Sequence, residues 1–300
     1  MAVDHSSGAF NARRLFTDSV TLYHPGQPLP PLQFFVRWIS HLCAPTFVLL
    51  AGFGLAFTVR KELSRGKSQF SIDRYLLTRG LLMAAFELWI SYFVMPKGML
   101  LLQVLYAMGT SYVLMIPLRR LPNTLCFALS LSAIVLLELL SGVLGSYFGQ
   151  QPPLWVTLLF VPGDPAPLVV AYPTLHWLAL MLLGWSFGTY LFVRPQTASQ
   201  LTKKLAALSG VSLLGFLAVR GLNGYGNMGL LRKDGSLVQW LHVSKYPPGI
   251  SYVSLELSLC FLCLAGWFAL TARRPPKASN LLLVLGQTPL FFYLLHLPLL

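Results

Sequence analysis

The sequence predicts an all-α fold: a polytopic transmembrane helix bundle of about eight spanning helices. Three observations carry that expectation. Of the 300 residues, 55% are hydrophobic and only 10% are charged, against about a quarter charged in soluble domains. Mean hydropathy is +0.65. Apolar runs of about 20 residues recur, long enough to cross a roughly 30 Å hydrocarbon core, and they lack the alternation of a membrane β-barrel.

In chain order the runs are 34–58, 77–95, 98–118, 124–146, 173–193, 204–221, 249–271 and 280–300. The stretch P-P-L-W-V-T-L-L-F-V-P at 152–162 is too short to span and reads as interfacial. Gly and Pro mark the gaps: P-G-Q-P-L-P-P at 25–31, P-G-D-P-A-P at 162–167, Y-P-P-G at 246–249 and R-R-P-P at 273–276. The whole chain, 1–300, reads as one integral-membrane domain, an outer segment 1–33 followed by the bundle 34–300. The opening M-A-V-D-H-S-S-G-A-F has no signal-peptide pattern and reads as the outer tail of a helix whose beginning is absent. An upstream spanning helix is therefore expected, and the abrupt end leaves room for more helices in a longer form.

The net charge of +13 lies in the gaps, with no basic helix or aromatic-interleaved patch for nucleic acid. One set of gaps carries 14 Lys and Arg, the other 8; the richer side is predicted cytoplasmic. All six histidines then fall on the outer side: His5, His24, His41, His176, His242 and His296. Imidazoles titrate near neutrality, so the outer side is the candidate chemical side. Of the four cysteines, Cys260 and Cys263 form C-x-x-C inside an apolar run and read as packing residues rather than a redox or zinc pair.

Ionisable groups within the apolar runs are costly and mark candidates. Glu87, Glu138 and Glu256 would line a polar cavity or orient basic partners, or else pair with buried Arg, Tyr or Ser groups and hold helices together. Arg37, Ser40 and His41 share a face at helical spacing at the mouth of the first run. His176 stands beside the belt residues Tyr172 and Trp177, above Gly184, Ser186 and Gly188, which favour close helix packing. Gln287, Thr288 and Pro289 break the last run about two turns before His296, and such breaks line cavities. G-x-G-x-x-G at Gly224, Gly226 and Gly229 lacks the strand and helix of a dinucleotide site and reads as a turn-rich loop. No metal is predicted. On the inner side, residues 60–80 concentrate cations, including Arg60, Lys61, Arg74 and Arg79. Lipid headgroups account for most of them; the sharper alternative is a mouth for the phosphates of an acyl-coenzyme A.

Seven segments in order carry a resemblance: A-V-D-H at 2–5, W-I-x-H-x-C-A-P-T-F-x-x-L-A-G at 38–52, L-L-T-R-G-L at 76–81, L-Q-V-L-Y-A-M-G at 102–109, Y-P-x-L-x-W at 172–177, K-Y-P-P at 245–248 and P-L-F-F-Y-L-L-H-L at 289–297. From about residue 3 to 300 the chain resembles bacterial relatives of the heparan-α-glucosaminide N-acetyltransferase catalytic domain. The resemblance implies a transmembrane acyltransferase of the bacterial cytoplasmic (inner) membrane. Acetyl-CoA or another acyl-CoA would donate from the cytoplasm to an extracytoplasmic glycan or small-molecule acceptor, at a sugar amine or hydroxyl. It implies His5 and His41, then His24, as catalytic candidates. Arg37, Glu87, Glu256, His176, Gln287 and His296 would line or orient the cavity, and Arg60, Lys61, Arg74 and Arg79 would hold the donor. A proton-coupled transporter or flippase, and a non-catalytic membrane scaffold, are the alternatives; a homo-oligomer stays open.

Overall fold

The structure is a computed structural model that describes residues 2–24, 26–95, 98–149, 151–272, 277 and 280–299; Pro25, Lys97 and the R-R-P-P break at 273–276 lie outside them. Helix α1 (Ala2–Phe10) precedes an irregular segment. Then come α2 (Pro31–Trp38), α3 (Cys43–Ser64), α4 (Gln69–Val94), β1 (Leu100–Leu102), α5 (Val104–Leu118), α6 (Asn123–Phe148), α7 (Leu154–Leu159) and β2 (Leu168–Val170). The second half holds α8 (Thr174–Val193), α9 (Ala198–Leu222), α10 (Leu237–Leu241), α11 (Ile250–Thr271), α12 (Leu281–Gln287) and α13 (Pro289–Leu299).

Among the described residues, six helices are long and apolar enough to cross a membrane, fewer than the eight expected. The difference sits in two places. The third run is shortened because Leu100–Leu102 forms a parallel pair with Leu168–Val170, leaving α5 at 15 residues. The last run is divided at Thr288 between α12 and α13, where Pro289 has no N–H to continue the ladder. Elsewhere side-chain caps extend helices beyond the apolar runs. Ser68 accepts Ser71 N–H at the start of α4, and Thr197 and Gln200 form a capping box that starts α9 six residues before 204.

The first run, expected as one continuous helix, turns at residues 39–42 between α2 and α3. Pro45 explains the local bonding. It cannot donate to the carbonyl four residues back, that of His41, and this free carbonyl instead accepts Tyr252 O–H from α11 at 3.0 Å.

Helix α8 is the centre of the bundle, packed on α3, α5 and α6, with Trp177 at 0% exposure. Its glycines set its distance to α3. A Cβ on Gly184 would lie 2.0 Å from Leu49 O, and one on Gly52 1.9 Å from Met181 O, so the backbones touch as small residues permit in lipid. Two buried glutamates close helix starts that have no side-chain cap of their own. Glu87 on α4 accepts Tyr106 N–H of α5 at 2.9 Å. Glu138 on α6 accepts Gly226 N–H at 2.9 Å, Met228 N–H at 2.7 Å and Ile250 N–H at 3.4 Å. Gly184→Ala is expected to lower the stability of the detergent-purified chain by about 1–3 kcal/mol, the range for overpacking. Gly142→Ala, where a Cβ meets nothing within 4 Å, should leave the thermal midpoint unchanged.

Candidate functional site

The segment before α2 folds back over one end of the bundle, and Arg37 in the last turn of α2 receives it. Arg37 Nη1 donates to both Asp4 oxygens at 2.6 and 2.7 Å. Its Nε donates to Asp18 Oδ2 at 2.8 Å, and Nη2 donates to the same oxygen. Arg14 adds a bond to Asp4 at 2.9 Å. The free Asp18 oxygen faces His41 Nε2 at 3.4 Å. Lys245 N–H donates to Asp18 O at 2.7 Å, and His242 Nε2 to Thr17 O at 2.7 Å, so the last loop is tied to the same strip of chain.

All these groups are sequestered: Arg37 is 5% exposed, Asp18 3% and His41 2%. Burial alone would raise the Asp18 carboxyl, but Arg37 and then His41 outweigh it and hold it below the usual carboxylate range. Burial opposes Arg37 and Arg14 at Asp4 in the same way, and the net shift is again downward. Burial pushes the His242 imidazole down.

Beside this cluster opens a cavity of about 2130 Å³, whose wall includes Asp4, His5, Arg37, Ser40, Lys245 and Tyr246. His5 Nδ1 lies 2.7 Å from His296 Nε2, with the two rings stacked at 4.9 Å between centroids. His296 Nδ1 sits 2.9 Å from the Phe292 carbonyl, which can only accept. When His296 is neutral its proton is therefore on Nδ1, its Nε2 accepts from His5 Nδ1, and His5 Nε2 keeps a free lone pair. Burial, then His296, lowers the His5 pKa from 6.5 to about 4, so the ring is uncharged at neutral pH.

The other predicted residues sort by place. His41 stands behind Arg37 and Asp18 and is not part of the cavity wall. His24 is exposed. His176 is held by Ser141 Oγ at 3.0 Å and the Phe160 carbonyl at 3.1 Å; Ser141 lines the cavity and His176 does not. Gln287 is exposed at the end of α12. Glu87 is engaged at the start of α5. Glu256 is 1% exposed and neither oxygen has a hydrogen-bond partner among the described residues.

At the opposite end, Arg60 lines a smaller cavity of about 480 Å³ together with Gln69, Arg119 and Arg120, and Arg119 and Arg120 both bond Asp73. Lys61 and Arg74 are exposed outside it. Arg79 donates to Tyr75 Oη at 2.8 Å and lies over the Tyr112 ring at 5.1 Å. Arg60, Lys61, Arg74 and Arg79 therefore do not converge.

Sequence reasoning did not single out Asp4, Asp18, Lys245, Arg119 or Arg120. Scarcity was the available signal, since the chain has only 9 acidic residues and two lie in the segment before the first run. Among the described residues no three His, Cys, Asp or Glu side chains converge as metal ligands.

Residues 19–222 match the family described as heparan-alpha-glucosaminide N-acetyltransferase, catalytic. The chain belongs to this family. No curated protein matches it. Membership in the heparan-alpha-glucosaminide N-acetyltransferase catalytic family, with the six apolar helices, makes the chain an integral membrane protein of acetyltransferase-like type, for which the family implies an acetyl-CoA-type donor in general. Within the family match lie Arg37, His41, Arg60, Lys61, Arg74 and Arg79, while His5, Lys245 and His296 fall outside it.

The pH dependence of stability follows from the shifts. Between pH 6.5 and about 4 the unfolded chain protonates His5 while the folded one does not, so stability falls as the pH is lowered through that window. Asp4 and Asp18, ionised below their ordinary 3.8 when folded, add a second loss below that value. His5→Gln should flatten the upper part of the pH–stability curve. Arg37→Leu should cost about 3–5 kcal/mol, as for breaking a buried ion pair; thermal unfolding across pH 3–8 checks both.

Proposed function

We propose that the chain is a transmembrane acyltransferase that takes an acyl group from cytoplasmic acyl-CoA and passes it to an extracytoplasmic amine or hydroxyl, such as that of a sugar. It would act as a single domain in the bacterial cytoplasmic membrane, with the segment 1–33 and the end of the chain on the outer side. The observation that carries this reading is His5 on the wall of a large cavity, hydrogen-bonded to His296. An uncharged imidazole with a free Nε2 can take the proton of the acceptor as its nitrogen or oxygen bonds to the acyl carbon. The carbon–sulfur bond then breaks and the thiolate is protonated as the thiol. His41 positions Arg37 through Asp18. At the other end, Arg60, Arg119 and Arg120 suit the phosphates of the donor better than the scattered Lys61, Arg74 and Arg79.

A second reading has one observation in its favour. Glu256 is a membrane-embedded acid whose oxygens have no hydrogen-bond partner among the described residues, as in a proton-coupled transporter.

Vesicles holding the full chain, loaded with radiolabelled acetyl-CoA on the Arg60 side and an amino sugar on the other, separate the two. Acyl transfer predicts label on the sugar, reduced about 10²–10⁴-fold by His5→Ala, the usual contribution of a general base. Undiminished transfer in His5→Ala removes His5 from this role. Proton flux that needs no donor and disappears in Glu256→Gln would replace the acyltransferase reading with the transporter.

A further inference from the structure

The large cavity has a second wall, distant from the chemistry argued for His5. Leu139, Gly142, Val143, Ser146 and Tyr147 all line it. Their spacing of i, i+3, i+4, i+7 and i+8 places them on one stripe of α6. Another face of α6 packs on α8, where Ser141 meets His176. The stripe itself is open. Leu139 is 54% exposed, Val143 56% and Tyr147 80%, and a Cβ on Gly142 or Gly145 would meet nothing within 4 Å. Depth decides what the stripe faces. Helix α6 has 26 residues, about 39 Å of helix against a hydrocarbon core of about 30 Å. At most about 9 Å of it projects from that core at either end. Leu139 lies about 14 Å before the helix ends at Phe148, so the stripe begins inside the hydrocarbon layer. The cavity wall thus continues onto the lipid-facing surface of the bundle.

The rest of the wall points to an amphiphile. Phe16, Val20 and Leu22, from the segment before α2, are exposed and line the same cavity. Exposed apolar surface of this extent marks a contact with lipid or another molecule. The polar end holds Asp4, His5, Arg37 and Ser40. Charge selects no ion: among the described residues on the wall, Arg14, Arg37 and Lys245 are matched in number by Asp4, Glu138 and Asp164. Size agrees. At about 2130 Å³ the cavity exceeds the upper end for a drug-sized ligand, about 1,000 Å³. A free sugar would leave the apolar wall uncovered, whereas an acyl chain would cover it.

We propose that the cavity opens to the bilayer along this stripe of α6 and takes a membrane lipid with an uncharged, hydroxyl-rich head group, a neutral glycolipid. The acyl chain lies along Leu139, Gly142 and Val143, and the head group reaches the end of the cavity lined by His5. That a head-group hydroxyl is the acceptor rests on the acyltransferase reading; binding of the lipid does not, and it is tested without any donor.

The probe is glucosyl diacylglycerol with a diazirine in one acyl chain, present at trace level in phosphatidylcholine vesicles that hold the full chain. After irradiation the cross-linked residues are mapped by mass spectrometry. Cross-links should concentrate on the stripe from Leu139 to Tyr147, and excess unlabelled glucosyl diacylglycerol should abolish them there. Gly142→Leu, which fills the hollow, should lose them with its thermal midpoint unchanged. Gly210→Leu on α9, where a Cβ also meets nothing within 4 Å, should keep them. If Gly142→Leu does not fold, Gly145→Leu serves in its place. Cross-links spread evenly over the exposed faces of α6 and α9, or resistant to the unlabelled lipid, or unchanged in Gly142→Leu, overturn the proposal. So does disulfide pairing of Val143→Cys between two copies, which would give the stripe to a second chain. In the vesicle assay the glycolipid should take up label from acetyl-CoA. Label on a free amino sugar but none on the glycolipid overturns its assignment as acceptor. Label on neither leaves the lipid site standing and removes the acyltransferase reading alone.

Discussion

The Arg37 guanidinium is the constraint on which one end of this bundle depends. It gathers Asp4 from α1 and Asp18 from the segment that follows into one plane. A fork of fixed donors suits two carboxylates as a lysine would not. Isolated, each of these charges would be expensive to bury; together their donors and acceptors are nearly all used. The result is a cover of irregular chain held over a helix bundle without a large apolar interface of its own. Asp18 then passes the constraint on, through its second oxygen to His41 and through its carbonyl to Lys245.

That pinning creates the asymmetry between the two ends. At the Arg37 end the charges are buried and fixed in geometry. At the opposite end Arg120, Lys61 and Arg74 are exposed, and solvent and salt weaken what they do. The proposed acyl transfer would use the first end for the step that needs a fixed orientation and the second for attraction of a multiply charged donor.

The bundle was legible in the sequence because a membrane solvent leaves few choices: a run of apolar residues must be a helix whose backbone satisfies itself. The break at 39–42, the short β1–β2 pair and the early start of α9 were not, since each depends on one local bond: the missing N–H of Pro45, the ladder between Leu100 and Leu168, and the Thr197 cap. Arg37 and His41 were legible as candidates from their place at the mouth of an apolar run. Asp4, Asp18 and Lys245 were not, because each is an ordinary polar residue in a gap until the chain folds back 19 to 241 residues away in sequence. Spacing encodes what shares a helix face; it does not encode what a loop returns to.

The three membrane glutamates show how far packing can settle a question that composition leaves open. Each could have been a proton site or a structural partner. The first turn of any helix leaves N–H groups without intrahelical acceptors, and in a bilayer no water supplies them. Helices α5 and α11 begin at Gln103 and Gly249, neither of which caps with its side chain. Glu87 and Glu138 reach across from neighbouring helices to take those donors, with the helix dipole in their favour. For Glu138 this also explains the glycines of the 223–229 loop. Gly226 has φ +98, and a Cβ there would lie 2.3 Å from Val219 Cγ1; only glycine turns its N–H toward the carboxylate at that spot. Two of the three acids are thereby accounted for as caps between helices, and a substitution at either would register as loss of fold before loss of function. Glu256 caps no helix: among the described residues its oxygens have no hydrogen-bond partner, and the charge that acts on it is that of Lys245.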